Sequence, residues 1–237
     1  MHRRIRMPRP HRWDHPGQIH HVMNRGVDHC TIFRSRRDER AFLVLVALEA
    51  RRRLIEVEAF CLMPNHFHLL VRSVDGELSL AMQRIESRFV RIFNQRHERD
   101  GPLFRGRFRS LLVDDERYRD GVIGYIERNP VAASLCSEIG RWEPTSACRI
   151  ATGRVPLWLR PRPIRGVGSP REDGAEDYWE AYRGRYGGLD EREHGLIQCR
   201  MAQSAYREDP LSALRSMDLA AVERWLVDLT PERVKDF

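Results

Sequence analysis

Ile55-Glu56-Val57-Glu58-Ala59-Phe60-Cys61-Leu62-Met63-Pro64-Asn65-His66-Phe67-His68-Leu69-Leu70-Val71-Arg72 decides the fold. Two runs of β-branched, aromatic and aliphatic residues flank the turn dipeptide Pro64-Asn65, which predicts a hairpin with strands at 55–63 and 66–72. Side chains alternate faces along a strand. Phe67 therefore points into a core, and His66 and His68 share the opposite face.

Outward from the hairpin, residues 18–23 read as a short strand ended by Asn24-Arg25-Gly26. Residues 38–53 have helical length and are apolar nearly all round in the middle, which predicts a buried helix. Leu78, Met82, Ile85, Phe89, Ile92 and Phe93 follow a 3.6-residue period, so 78–96 is predicted as an amphipathic helix. Residues 103–113 read as a strand, with Arg105, Arg107 and Arg109 alternating against Phe104, Gly106 and Phe108. Asp114-Asp115-Glu116 puts negative charge at the start of a helix that runs to about 128 and stops near Asn129-Pro130. The order strand, helix, strand, strand, helix, strand, helix is the ferredoxin-like split βαβ pattern. It predicts an α+β fold, an antiparallel sheet with helices on one face.

Residues 155–170 hold four prolines and three arginines and read as a linker with no packed element. The expected organisation is a domain at 1–150, an Arg/Pro/Gly linker at 151–170 and a small all-helical appendage at 171–237. The appendage shows helix patterns at 178–186, 191–207, 211–217 and 219–229.

The 237 residues carry a formal charge of +7. Residues 1–150 hold 27 basic against 19 acidic side chains, 151–169 four arginines and no acid, and 170–237 ten basic against 15 acidic. The basic excess therefore belongs to the first 169 residues and points to a polyanion, nucleic acid first. Only Lys235 is a lysine; arginine is the better bidentate phosphate ligand, although a coding bias toward arginine gives the same composition. Five cysteines without a CxxC pair exclude a disulfide scaffold and a zinc ribbon. The longest apolar run, 41–48, is far short of the roughly 20 residues that span a bilayer. Residues 1–17 are basic without an apolar stretch behind them, unlike a signal peptide. A soluble cytoplasmic protein is expected.

Three groups of residues can carry chemistry. His66 and His68, at i and i+2 on one strand face, can bind one divalent ion, or can be polar residues facing water. Tyr125 and Asn129 lie four apart on one helix face. A tyrosine hydroxyl can attack a phosphodiester and an amide oxygen can ligate metal, or the pair can be a packing residue and a helix end. Arg105, Arg107 and Arg109 on one strand face would make a phosphate-binding row with aromatic neighbours for unpaired bases, or a solvated face.

In order along about 130 residues, these segments resemble the single-tyrosine HUH transposases, in particular their REP-associated group. The carriers are residues 20–33 with the Asn24-Arg25-Gly26 turn and Ile32-Phe33, the His66-Phe67-His68 motif behind Met63-Pro64-Asn65, the stretch 101–109, and Tyr125-Ile126-Glu127-Arg128-Asn129-Pro130-Val131-Ala132-Ala133. Trp142-Glu143-Pro144-Thr145-Ser146 stands where the family has Trp-Ser-Ser, and Ala132-Ala133 where a basic residue is frequent.

The resemblance implies a DNA transposase and endonuclease that cleaves and rejoins single-stranded hairpin DNA through a 5′-phosphotyrosine. Tyr125 would be the nucleophile. His66, His68 and Asn129 would hold Mg²⁺ or Mn²⁺. Arg25, Arg105, Arg107 and Arg109 would contact DNA, and a homodimer would supply two tyrosines. The alternative is a non-catalytic hairpin-binding regulator on the same fold. A replication-initiator or relaxase-type HUH nuclease fits less well, because no Gly-x4-Gly-Lys-Ser/Thr loop accompanies the site.

Overall fold

The computed structural model describes residues 14–171, 175–188, 197 and 200. The strands β1 (Ile19–Arg25), β2 (Ile55–Met63), β3 (His66–Ser73) and β4 (Arg109–Val113) pair antiparallel in the order β2-β3-β1-β4. Helix α1 (Arg36–Arg51) links β1 to β2, and α2 (Leu78–Arg96) links β3 to β4. This is the ferredoxin-like α+β arrangement.

Alternation along the strands divides the apolar residues between two cores. Val22, Phe67, Leu69 and Val71 face α1 and α2, where the Phe42 ring packs tilted against Phe67 at 4.7 Å and meets Phe89 edge-on at 5.2 Å. The start of α1 is held by buried Asp38, whose carboxylate accepts from Ser35 and from Arg96 at the end of α2. Ile19, Cys61, Met63 and Leu70 face the other way. A β-bulge between Val57 and Ala59 makes this possible on β2. The inserted Glu58 shifts the alternation by one residue, so Val57 and Phe60 face one core and Ala59 and Cys61 the other.

The expectation of helices on one face holds for α1 and α2. A further layer covers the second face: α3 (Glu116–Ala132), α4 (Ser146–Ala151) and α5 (Ala175–Tyr186). That face carries its own apolar set, which must be buried against something. Val122, Ile123 and Ile126 of α3 and the buried tyrosines Tyr178, Tyr182 and Tyr186 of α5 supply the cover.

Three local readings change. First, β4 begins at Arg109, not at 103. Residues 103–108 form a loop anchored by buried Leu103, Phe104 and Phe108, a spacing that no alternating strand can send to one core. Arg105 and Arg107 therefore leave the predicted row. Second, α3 runs through Asn129-Pro130 to Ala132. Pro130 cannot donate an i→i−4 bond, and the helix ends two residues after it. Third, residues 155–170 are not a free linker. Leu159 is fully buried and bridges Val57 in parallel, and the Arg160 N–H donates to the Val57 carbonyl at 2.7 Å. Trp158 lies 5.5 Å from Phe60. The segment covers the β2 edge, a place where proline is tolerated.

Of the later helix patterns, 178–186 falls within α5, and Ile197 is buried in the second core. The patterns at 211–217 and 219–229, and 191–207 apart from Ile197 and Arg200, lie outside the described residues. Among the described residues no helix is long and apolar enough to cross a membrane.

Leu159→Ala is expected to cost about 2–5 kcal/mol in urea denaturation, as for a buried leucine. A loss within about 0.5 kcal/mol, the range for surface positions, would mean that the segment is not docked.

Candidate active site

The alternation of β3 turns His66 and His68 toward α3, with ring centroids 5.1 Å apart. Tyr125 of α3 lies over them, its ring 5.5 Å from His68 and edge-on to it. Asn129 is one turn further on. Its Nδ2 donates to the Tyr125 carbonyl at 2.8 Å, and its side chain is in hydrogen-bond contact with the His66 ring and the Tyr125 hydroxyl. Asn65 Oδ1 lies 2.7 Å from His66 Nδ1. The four residues singled out from the sequence for chemistry thus meet on one sheet face.

Sequence reasoning left His21 unassigned. Its Nε2 lies 3.0 Å from His68 Nδ1, and its ring 5.9 Å from that of Tyr125. Its period-2 position on β1 was visible in the sequence. The pairing that sets Met23 opposite His68 and His21 opposite Leu70 was not.

Long-range contacts hold α3 over the histidines. Near its start, Arg119 donates to the bulged Glu58 at 2.7 and 2.8 Å. Two residues after Tyr125, Glu127 is fully enclosed. It accepts from the Ser146 hydroxyl, from the Ala147 N–H at 3.1 Å and from the Tyr182 hydroxyl at 2.7 Å. Trp142 Nε1 donates to the Leu62 carbonyl at 2.9 Å, so the 142–146 stretch docks on the histidine hairpin.

Burial sets the protonation of the site. It pushes the pKa of His21 down to about 3 and of His66 to about 4, with Arg25 and His29 adding to the fall at His66. His68 is held well below the usual value by burial, then by the neighbouring His66 and His21. The three rings are therefore neutral at pH 7. Burial also raises the Tyr125 hydroxyl to about 12, so it rests protonated.

Among the described residues, no three His, Cys, Asp or Glu side chains form a metal cluster. The donors that fit a cation here are different: two neutral imidazoles and the Asn129 amide oxygen. This nitrogen and oxygen set is incomplete and leaves positions for water and phosphate oxygens.

Arg25 sits beside the site, opposite His66 in the β1–β3 ladder. Burial and the nearby Arg105 and Arg109 hold its pKa below the usual value. Arg105 is joined to it through its backbone N–H, which donates to the Arg25 carbonyl at 3.0 Å. Arg25, Arg105 and Arg109 thus form one positive cluster next to His66, which a polyanion would relieve. Arg107 is exposed on the loop.

The family described as IS200-like transposases matches residues 18–129. A solved structure described as the REP-associated tyrosine transposase bound to a REP hairpin is similar at 17% identity and a TM-score of 0.47. The match covers 69% of this chain and 98% of that one. No curated protein matches.

The shifted groups make stability depend on pH with two signs. Unfolded histidines titrate near 6.5, above the folded values of about 3 and about 4 for His21 and His66. The unfolded chain takes up protons first, so stability is full above pH 6.5 and falls as pH drops toward 4. Burial raises Glu127 from 4.5 to about 7, so its contribution is present below pH 4.5 and lost as pH rises to 7. Between pH 4.5 and 6.5, His21→Leu should therefore flatten the rise of the urea midpoint with pH, and Glu127→Gln should steepen it. Slopes equal to wild type in both variants would contradict the assignment.

Proposed function

We propose that this chain, whose residues 18–129 match the IS200-like transposase family, cleaves and rejoins single-stranded hairpin DNA with Tyr125 as nucleophile. The observation that carries this reading is the position of Tyr125. Its ring lies 5.5 Å from His68, and its hydroxyl shares the Asn129 side chain with His66.

In this reading the Tyr125 oxygen attacks the scissile phosphorus and the bond to the 3′ oxygen breaks. The 5′ phosphate stays on the tyrosine. The phenolic proton lost is balanced by the 3′-hydroxyl formed. One phosphodiester replaces another, so a 3′-hydroxyl can reverse the step without ATP. Asn129 orients the attacking hydroxyl, and the covering α3 limits competing water. His66, His68 and Asn129 would hold Mg²⁺ or Mn²⁺, which when bound supplies positive charge to the phosphate oxygens. Arg25, Arg105, Arg107 and Arg109 would hold the DNA backbone beside the site.

A transposition event needs two cuts, and one nucleophilic tyrosine per chain then calls for a homodimer. The catalytic domain would be 1–150, with 151–170 running along its β2 edge and 171–237 as an appendage whose α5 packs on α3.

Incubation with a labelled single-stranded hairpin and Mn²⁺, followed by denaturing electrophoresis, should give a covalent protein–DNA band. Tyr125→Phe should abolish that band while binding stays near wild type, and EDTA should stop cleavage. Binding without any covalent band would instead support the hairpin-binding regulator, and wild-type cutting by Tyr125→Phe would remove the tyrosine from the reaction. Arg25→Ala and Arg105→Ala should each weaken DNA binding and lower the salt slope by about 0.7, the value for one phosphate contact on a single strand. An unchanged slope would take the arginines out of the interface.

A further inference from the structure

His21 lies outside the residues assigned above, yet it is the side chain bonded to one of them. It stands opposite Leu70 on β1, so its ring is the diagonal neighbour of His68 on the same sheet face. The junction is between His21 Nε2 and His68 Nδ1 at 3.0 Å, and both rings are buried. The second nitrogen of His21, Nδ1, is buried with no hydrogen-bond partner among the described residues.

A neutral imidazole has one N–H and one lone pair. At the junction one ring must donate and the other accept. If His21 donates, the proton of His68 is on its outer nitrogen, Nε2, and no lone pair is left there for a cation. If His68 donates from Nδ1, its Nε2 lone pair is free. We propose that His21 is a positioning residue, accepting at Nε2 the Nδ1–H of His68 and so fixing the tautomer and orientation in which His68 Nε2 is the ligand nitrogen. The proposal rests on the reading that His66 and His68 hold a divalent cation.

Two further facts agree with this role. A carboxylate or carbonyl is the usual acceptor from a metal-binding histidine. A neutral ring does the same without placing a negative charge close to a phosphate. The arrangement also leaves His21 Nδ1 buried and unpaired, a cost that an aliphatic side chain in the same place would avoid. Packing alone gives no reason for histidine there.

The test compares Mn²⁺ affinity, read by the EPR signal of free Mn²⁺, in wild type, His21→Leu, His21→Gln and His68→Ala. Glutamine can accept through Oε1; leucine cannot. His21→Leu should weaken Mn²⁺ binding about 10- to 100-fold, the effect of losing such a partner, while His21→Gln keeps most of the affinity. Wild-type affinity in His21→Leu, or equal losses in both His21 variants, would overturn the proposal. Wild-type affinity in His68→Ala would instead overturn the metal reading, and the proposal with it. Long-range ¹⁵N–¹H NMR of the wild-type histidines gives a second readout that needs no variant to fold. The Nδ1–H tautomer at His68 supports the role, and the Nε2–H tautomer overturns it.

Discussion

A strand has two faces and no third, and β3 uses both. Phe67 enters the aromatic core under α1 and α2, and this forces His66 and His68 to the opposite side. A slip of one residue in the pairing of β3 with β1 would put an imidazole into the aromatic core and Phe67 at the site. The phenylalanine cluster that stabilises one half of the protein therefore sets the register of the chemistry in the other half. The bulge at Glu58 belongs to the same logic. It lets β2 contribute to both cores, and it leaves a buried carboxylate for Arg119 at the start of α3.

What lies over the histidines is equally constrained. Glu58 holds α3 near one end and Glu127 ties it to α4 and α5 beyond Tyr125. The result is a site whose Tyr125, His68 and His21 are buried while His66 and Asn129 keep an edge open. Burial keeps the imidazoles neutral and the tyrosine protonated, so on the proposed reading the cation ligands are ready and the nucleophile must lose its proton as it attacks. The positive charge is kept to one side, at Arg25, Arg105 and Arg109.

The hairpin, the helices α1 and α2 and the tyrosine helix were legible in the sequence because their periods are local, although α1, which reads as buried nearly all round, leaves Val44 exposed. Residues 103–108 misled because Arg alternating with aromatic residues imitates a strand, whereas Leu103, Phe104 and Phe108 are anchors of a loop. The prolines of 155–170 imitated a linker, but they are equally compatible with an unpaired sheet edge, and only Leu159 going under cover decides between the two. His21, Glu58 and Glu127 gave no signal. Each acts through a partner 47, 61 or 55 positions away, His68, Arg119 or Tyr182, and only the pairing of β1 with β3 and the packing of α3 on β2 and α5 bring them together.

The central claim is that the buried Tyr125 hydroxyl, and no water molecule, attacks the phosphate. Peptide mapping by mass spectrometry after incubation with a single-stranded hairpin and Mn²⁺ tests it most directly. The account predicts a nucleotide mass on the tryptic peptide 120–128, fragmenting to Tyr125. Cleaved DNA alongside an unmodified 120–128 peptide, or the nucleotide on Tyr118 instead, would contradict it.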